Sequence, residues 1–267
     1  MIELKNIRVD FGERRVLDGI SADIAEGCIT AVMGPNGCGK TTLLRCMGGL
    51  LKPRGGEVLL DGCRVQDYAA RELARNVAFV RQQSQTDFDF TAFEVVLMGR
   101  NPWQQRLQNE SQADRDIVER CMRQTNTWHL RQARPSQMSG GELQRVMIAR
   151  ALAQQTPVLL MDEPVSSLDI AHQLDIMRLL RGVCRGEASR AGSPRTIVIV
   201  IHDLNLALQF CDRLLLLHEG KAIYDGAVTE GLVPDNIRTV YGVEARLSDG
   251  RIVFEYGSPV SGYRCVP

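Results

Sequence analysis

The segment from Gly34 to Thr42 has the residue types and spacing of a loop that holds phosphate groups. Its letters, GPNGCGKTT, fit the pattern G-x-x-x-x-G-K-[ST]. Glycines let successive backbone N–H groups point inward around phosphate oxygens, and the positive end of a following helix adds to the same site. We therefore predict a phosphate-binding loop made of Gly34, Pro35, Asn36, Gly37, Cys38 and Gly39.

The three side chains that follow this loop are suited to a nucleoside triphosphate. Lys40 is expected to reach the terminal phosphates, each charge-assisted contact contributing roughly 1.5 to 3 kcal/mol. Thr41 offers a hydroxyl to Mg²⁺, and Thr42 is expected to touch a phosphate. The alternative is a glycine-rich turn with a chance lysine. An apolar run at 29–33 and helical spacing at 41–50 flank the loop and argue against that alternative.

Two adjacent carboxylates, Asp162 and Glu163, follow the apolar run 158–161. In a nucleotide-binding sheet such strand ends lie beside the phosphate loop. Asp162 is then placed to steady Mg²⁺ through its waters. Glu163 is placed to polarise an attacking water, a general-base role that contributes about 10²- to 10⁴-fold in rate. Alone, the pair would be interpreted as a capped turn, and its combination with the phosphate loop favours the catalytic interpretation.

A second glycine-containing segment, Ser139-Gly140-Gly141-Glu142, stands at the start of a predicted helix. A hydroxyl and glycines at a helix start predict a second anion site. Because one chain would carry two phosphate-binding ends, we expect each nucleotide to be shared, with the loop of one copy facing the Ser139 segment of another. Two-fold symmetry would then close two sites at once.

The elements that must position these residues alternate between strands and helices in the second half of the chain. Predicted strands at 158–161, 196–201 and 213–217, with helices at 171–181 and 204–210, imply a parallel sheet in an α/β core. The other predicted elements are an antiparallel N-terminal sheet, strands at 55–62 and 77–80, mainly helical structure over 91–150, and short strands and turns in the last 40 or so residues.

Charge and composition limit the possible partners. The chain has 32 basic and 32 acidic residues among 267, so no global field draws it to nucleic acid or to an anionic membrane. Its start lacks the pattern of a secretory signal, and no apolar run approaches the roughly 20 residues of a membrane span. The eight cysteines form no Cys-x-x-Cys pair. We expect a cytoplasmic protein without a disulfide framework that reaches a membrane only through partners.

The Ser139 to Glu142 segment resembles the Leu-Ser-Gly-Gly-Gln signature of ATP-binding cassette proteins, and the order of the other motifs is similar to that family throughout. Met138 replaces the usual leucine, and Glu142 replaces glutamine. The resemblance implies a P-loop NTPase (RecA-like) core with an antiparallel β subdomain and a helical signature-motif subdomain, using ATP and Mg²⁺. The implied divisions are an ATP-binding domain at 1–226, its helical subdomain at about 84–150, and a C-terminal β/turn extension at 227–267.

The same resemblance implies roles for four further residues. Phe11 resembles the aromatic that stacks on adenine, and the alternative is a simple core or hairpin aromatic. Gln82 resembles the glutamine that reaches Mg²⁺ and the water at the start of the helical insertion. Asp169 resembles the residue that crosses the dimer interface, and it can also cap a helix. His202 resembles the histidine that contacts the γ-phosphate, and a lone histidine would otherwise be structural.

Segments 91–103, 169–173 and 202–205 resemble ATPases of bacterial and archaeal importers for iron-siderophore, haem and cobalamin. This resemblance implies a homodimer that works with transmembrane permease subunits and a substrate-binding protein, on the cytoplasmic side of the membrane, without nucleic acid. The segment after Gln82 would then act as a lever on the permease. The alternative is that many cassettes share these sequences.

Three other functions compete with this interpretation. An exporter ATPase would carry the same motifs. A soluble cassette acting on DNA or ribosomes usually has two cassettes or a long coiled-coil insertion, and this chain has one phosphate loop. A GTPase would need an Asn-Lys-x-Asp segment, which does not occur here.

Cys38 lies inside the phosphate loop and has two interpretations. A helix end and Lys40 could lower the pKa of its thiol and make it oxidisable. Alternatively, it is a tolerated small residue.

Overall fold

The computed structural model describes residues 1–81, 89–104, 110–187 and 195–255. The strands are β1 (Ile2–Phe11), β2 (Arg14–Ile24), β3 (Ile29–Met33), β4 (Gly55–Leu60), β5 (Cys63–Arg64), β6 (Val77–Val80), β7 (Val158–Asp162), β8 (Thr196–Val200), β9 (Arg213–His218), β10 (Lys221–Ala227), β11 (Ala245–Ser248) and β12 (Arg251–Phe254). The helices are α1 (Lys40–Met47), α2 (Ala70–Asn76), α3 (Ala92–Leu97), α4 (Gln112–Gln124), α5 (Gly140–Ala153), α6 (Ile170–Cys184), α7 (Leu204–Phe210), α8 (Val228–Gly231) and α9 (Pro234–Tyr241).

The N-terminal strands form the antiparallel sheet that the sequence predicted. Its strand order is β2-β1-β4-β5, and β1 pairs with β2 across the turn at Gly12 and Glu13. Ile2 and Leu4 of β1 are buried while Glu3 and Lys5 lie on the other face. One apolar face therefore covers the core, as alternation in an antiparallel strand requires.

The central sheet has the order β10-β9-β3-β8-β7-β6, and its strands run parallel except for the antiparallel edge strand β10. Every residue of β3, β7 and β8 is buried. Continuous apolar strands are typical of a parallel sheet that is covered on both faces. The prediction of an α/β core is confirmed.

The strand register within this sheet places the candidate catalytic residues at one edge. Val32 of β3 pairs with Val200 of β8, and Val200 pairs with Asp162 of β7. The residues that follow each strand therefore lie at the same carboxyl edge. The phosphate loop, the Asp162-Glu163 pair and His202 all lie there.

The helical segment packs α3 and α4 against α5 and is anchored by one buried arginine. Arg100, only 7% exposed, donates to the Ala153 carbonyl at 2.7 Å and to the Asp114 carboxylate at 2.8 Å. Asp114 in turn forms a capping box with Ser111 at the start of α4. These bonds tie the start of α4 to the last residue of α5, the helix that begins after Ser139.

The C-terminal segment differs from the sequence prediction of short strands and turns. It contains helices α8 and α9 before the β11–β12 hairpin. Pro234 starts α9 at the position where proline is favoured, and Ile237 and Val240 bury one face. Eight residues make too few turns for apolar spacing to stand out in the sequence. The hairpin is held to α7 through Asn205, whose side chain bonds the backbone of Ile252 in both directions.

The apolar residues pack into two clusters on opposite faces of the parallel sheet. Ile29, Ala31 and Met33 face the cluster that includes the signature helix α5, and Val32 faces the cluster that includes α1 and the antiparallel sheet. Within the described ranges, no helix combines the length and apolar character needed to span a bilayer.

Candidate functional site

The phosphate loop joins β3 to α1 and depends on glycine at two positions. Gly34 has φ 144° and Gly39 has φ 105°, both in the region that favours glycine. A Cβ atom on Gly34 would collide with the carbonyl oxygen of Leu217, and one on Gly39 would collide with the side chain of Leu17. The loop backbone therefore lies wedged between β2 and β9, which fixes it in place.

Lys40, the first residue of α1, folds back over the loop. Its Nζ atom donates to the carbonyl oxygens of Gly34 at 2.9 Å and Pro35 at 2.8 Å, and the residue is only 6% exposed. A buried ammonium is costly unless its donors are satisfied. Two neutral carbonyls hold it here, and phosphate oxygens would satisfy the same donors more strongly because they carry charge.

Thr41 and Asp162 meet beside the loop. The Thr41 hydroxyl donates to Oδ1 of Asp162 at 3.0 Å. Burial raises the pKa of Asp162, the Thr41 hydrogen bond opposes that rise, and the charge of Glu163 adds to it. A cation at this point would offset the cost of the buried carboxylate.

Glu163 and His202 form the second polar pair at the sheet edge. Nε2 of His202 lies 2.7 Å from Oε1 of Glu163. Glu163 has φ 49°, a left-handed conformation that is uncommon for a residue other than glycine. Such backbone strain clusters at functional sites. The turn is held because the Ser166 hydroxyl donates to the Glu163 carbonyl at 3.0 Å.

The phosphate loop opens into a groove with an aromatic and a basic residue on its wall. Phe11, at the end of β1, is 52% exposed at this groove, where the sequence predicted a partner for adenine. Arg14 also lines the groove and was not predicted. The sequence could have indicated Arg14 through its position, three residues after Phe11 in the same hairpin. The lining residues are Phe11, Arg14, Val16, Asn36, Gly37, Gly39, Lys40, Thr41, Thr42 and Glu163.

Ser139 caps helix α5 through a reciprocal pair of bonds with Glu142. The Ser139 amide and hydroxyl each donate to Oε2 of Glu142 at 2.8 Å, and the Glu142 amide donates to the Ser139 hydroxyl oxygen at 3.3 Å. The bond from the Ser139 amide lowers the pKa of Glu142, assisted by the hydroxyl. In the signature segment, the ionised Glu142 carboxylate is therefore hydrogen-bonded to Ser139.

A second groove lies along the signature segment. Arg145 lines it with Nε buried and without a partner in the described part of the chain. Asp169 caps α6 by accepting from the His172 amide at 2.9 Å, and it bonds the His172 ring at 2.7 Å. Sequence reasoning assigned no chemistry to Arg145 or His172. The groove is lined by Ser139, Gly140, Gly141, Glu142, Arg145, Ser167, Leu168, Asp169 and His172.

These two grooves have no described lining residue in common. One chain therefore presents two separate polar surfaces, one at the phosphate loop and one at the signature segment. This arrangement does not bring the phosphate loop and the signature segment together within one chain. It is compatible with a nucleotide that is shared between two copies.

Of the remaining predicted residues, the structure describes Cys38 and does not describe Gln82. Cys38 is 5% exposed, and burial raises the pKa of its thiol even though Lys40 acts in the opposite direction. Of its two interpretations, the tolerated small residue is favoured over the reactive thiol. Gln82 lies outside the described residues, so its predicted role stays a prediction.

The model of the ABC transporter family matches residues 17–166 of this chain. The ferric enterobactin transport ATP-binding protein FepC of Escherichia coli (strain K12) is 36% identical over 256 residues, covering 96% of this chain and 91% of FepC. The hemin import ATP-binding protein HmuV of Bordetella avium is 38% identical over 252 residues, covering 91% of this chain and 93% of HmuV.

The cobalamin import ATP-binding protein BtuD of Halobacterium salinarum is 38% identical over 249 residues, and this chain spans only 60% of its length. Among solved structures, the dimeric ABC transporter cassette MJ0796 superposes with a TM-score of 0.75 at 32% identity, covering 85% of this chain and 99% of that one. The chain belongs to the ABC transporter family, and it is an ATP-binding and ATP-hydrolysing cassette of that family. The resemblance found in the sequence is confirmed.

We expect Asp162→Asn to raise the melting temperature of the nucleotide-free protein at pH 8. Because burial raises the pKa of Asp162, its ionisation costs folding free energy at pH values above that raised pKa. Asparagine removes the charge and can still accept from the Thr41 hydroxyl. Each 1 kcal/mol gained corresponds to about 2 to 4 °C. Scanning calorimetry should show the gain shrinking as the pH falls toward the ordinary aspartate value of about 3.9.

Asp175→Asn is the matched control, because that carboxylate is 70% exposed and pairs with Arg178 on the surface. Its melting temperature should stay within about 1 °C of wild type, since exposed pairs contribute little. A loss of stability in Asp162→Asn at pH 8, or a gain that is the same at every pH, would contradict the desolvation argument.

Proposed function

We propose that this chain is the ATP-hydrolysing subunit of an importer for an iron-siderophore, haem or cobalamin. The observation that carries the catalytic part is the convergence of Lys40, the Thr41–Asp162 pair and the Glu163–His202 pair at one sheet edge. The substrate class rests on the relatives, which transport ferric enterobactin, hemin and cobalamin.

In this proposal the phosphate loop binds the triphosphate and α1 places its first turn at the phosphates. Lys40 exchanges two backbone carbonyls for phosphate oxygens, and the loop amides supply further donors. Phe11, exposed on the groove wall, stacks on the adenine ring. Arg14 lies beside it and contributes positive charge to the same groove.

The donor set beside the loop fits Mg²⁺, which prefers oxygen ligands and takes one or two from protein together with phosphates and water. The Thr41 hydroxyl and the Asp162 carboxylate would hold it, directly or through water. When bound, Mg²⁺ neutralises charge on the β- and γ-phosphates. The buried Asp162 carboxylate supports this role because burial raises its pKa, and a bound cation would offset that cost.

Glu163 is proposed as the group that accepts a proton from the attacking water. Its carboxylate is 15% exposed at the edge of the groove, with the phosphate loop on one side and His202 on the other. The His202 ring at 2.7 Å orients the carboxylate. From the same position, His202 can donate to the γ-phosphate as charge develops on it.

Two copies of the chain are proposed to enclose each nucleotide. The signature groove offers the Ser139 hydroxyl, the start of an α-helix and Arg145 as anion-binding groups. Because it lies apart from the phosphate groove in one chain, a two-fold dimer would place it over the nucleotide of the partner copy. The similar cassette MJ0796 is dimeric, which supports assembly of this chain as a dimer.

Coupling to transport is proposed to run through the helical segment. Its α3 and α4 pack on α5, so movement of the signature segment carries them with it. Phe90 and Trp103 place aromatic surface on the outside of this segment. Transmembrane permease subunits and a substrate-binding protein would complete the importer on the cytoplasmic face of the membrane. An exporter ATPase is the second candidate, since the catalytic residues would be the same.

We expect Glu163→Gln to bind ATP and form a stable dimer while its kcat falls about 100-fold or more, because the amide cannot accept the proton. Size-exclusion chromatography with ATP and a phosphate-release assay measure the two effects. Glu219→Gln is the matched control, since Glu219 is also a left-handed glutamate in a turn but lies away from the groove. Normal hydrolysis by Glu163→Gln would show that another group accepts the proton.

Substrate is tested by reconstituting the chain with a permease and a binding protein, chosen from any that are encoded beside its gene. Hydrolysis in proteoliposomes is measured with an iron-siderophore, haem or cobalamin on the binding-protein side. The proposal expects one of these to stimulate hydrolysis and to accumulate inside. Stimulation by none of them, or movement in the opposite direction, would favour another substrate or the exporter alternative.

A further inference from the structure

The hairpin that joins β1 to β2 carries two adjacent arginines on opposite faces. In the strand register, Arg14 lies directly opposite Phe11, and Arg15 lies directly opposite Asp10. Cross-strand partners share one face of a sheet, and successive residues of a strand alternate between faces. Arg14 therefore lies on the same face as Phe11, the exposed aromatic on the wall of the phosphate groove.

The two arginines differ in their partners. Nε of Arg15 donates to Oδ1 of Asp10 at 3.1 Å, and Nη1 of Arg15 donates to Oδ1 of Asp18 at 3.1 Å. Within the described ranges, no residue forms a hydrogen bond or an ion pair with the Arg14 guanidinium. The charge of Arg15 is thus balanced by carboxylates on its own face, whereas the charge of Arg14 is directed to the groove.

The Arg14 guanidinium lies against the middle of the phosphate loop. An ideal Cβ atom on Gly37 would be 3.6 Å from Nη2 of Arg14. Gly37 has φ 79°, and turns of this kind direct successive backbone N–H groups toward an anion. The guanidinium and the loop therefore line the same groove from two sides, with Arg14 on the side of the antiparallel sheet and Lys40 within the loop.

The charge of a nucleotide leaves a use for a second cation in this groove. Among the described lining residues, Lys40 and Arg14 are the cations and Glu163 is the carboxylate. A triphosphate keeps a net negative charge after Mg²⁺ has bound, so Lys40 by itself would not neutralise it. Arg14 can supply the further charge because its planar guanidinium can bond two phosphate oxygens at once.

We propose that Arg14 is a substrate-binding residue that holds the phosphate chain of the nucleotide by its charge, where that chain passes over Gly37. The proposal rests on the phosphate-binding role proposed for the loop. Arg14 recognises the phosphates and not the base, whereas Phe11 recognises the base. Because the Arg14 side chain is exposed, salt screens its interaction with the phosphates.

The test is Arg14→Gln in the full chain, with two ligands that separate phosphate binding from base binding. Titration calorimetry measures Kd for Mg-ATP and for Mg-tripolyphosphate, which has no base. Arg14→Gln should raise both Kd values about 5- to 20-fold at low ionic strength, because one charge-assisted contact is lost. Arg14→Lys keeps the charge and should stay within about 3-fold of wild type. Both losses should shrink at about 1 M salt, where the Debye length is roughly 3 Å.

Arg15→Gln is the matched control, since it removes an adjacent charge that carboxylates already balance. Its two Kd values should stay within about 2-fold of wild type. Phe11→Ala should weaken binding of Mg-ATP and leave that of Mg-tripolyphosphate unchanged. If Arg14 served only to hold the hairpin that carries Phe11, Arg14→Gln would show this same pattern, and that result would overturn the inference.

Lys40→Ala separates this inference from the role of the loop on which it rests. If Lys40→Ala binds both ligands as tightly as wild type, the proposed role of the loop fails. If Lys40→Ala weakens both while Arg14→Gln weakens neither, the loop binds phosphates and the inference about Arg14 alone is wrong. Melting temperatures of all variants are measured without ligand, so that a loss of affinity is read only from folded protein.

Discussion

The site depends on one constraint, which is that Gly34 and Gly39 have no side chain. Any side chain at these positions would meet Leu217 or Leu17, so the loop can pass between β9 and β2 only as glycine. Close contact on both sides leaves the loop little freedom, and its amides are held before any phosphate arrives. Preorganised donors of this kind lose little free energy on binding. The strands on either side thus set the position of Lys40 and α1.

The polar groups at the sheet edge are held in an unfavourable state that a nucleotide would relieve. Lys40 donates to two backbone carbonyls, Asp162 is a desolvated carboxylate, and Glu163 occupies a left-handed conformation. On the signature side, the Glu142 carboxylate is bound to Ser139, which places a negative charge where the partner's phosphate would approach. In the proposed mechanism, binding and dimer closure would therefore act on groups that folding has left in an unfavourable state.

The sequence predicted most of the fold because its signals are local and repeated. The buried strands β3, β7 and β8 are mostly apolar, and the loop between β3 and α1 has a residue pattern that is typical of phosphate binding. Contacts between residues that are far apart in the sequence leave no such local pattern. Helix α9, for example, is too short for its spacing to predict a helix. The Glu163–His202 contact joins residues 39 apart and needed the sheet order to be found.

The central claim is that each nucleotide lies between Lys40 of one copy and Ser139 of the other. Mixing Lys40→Ala with Ser139→Ala tests it most directly, because a mixed dimer then has one site with both changes and one site with neither. The ATPase rate of the mixture should exceed the average of the separate variants. Ser139→Ala also loses a helix cap worth about 0.5 to 2 kcal/mol, so its folding is checked by melting temperature. A mixture of two folded variants that hydrolyses ATP only at their average rate would contradict the account.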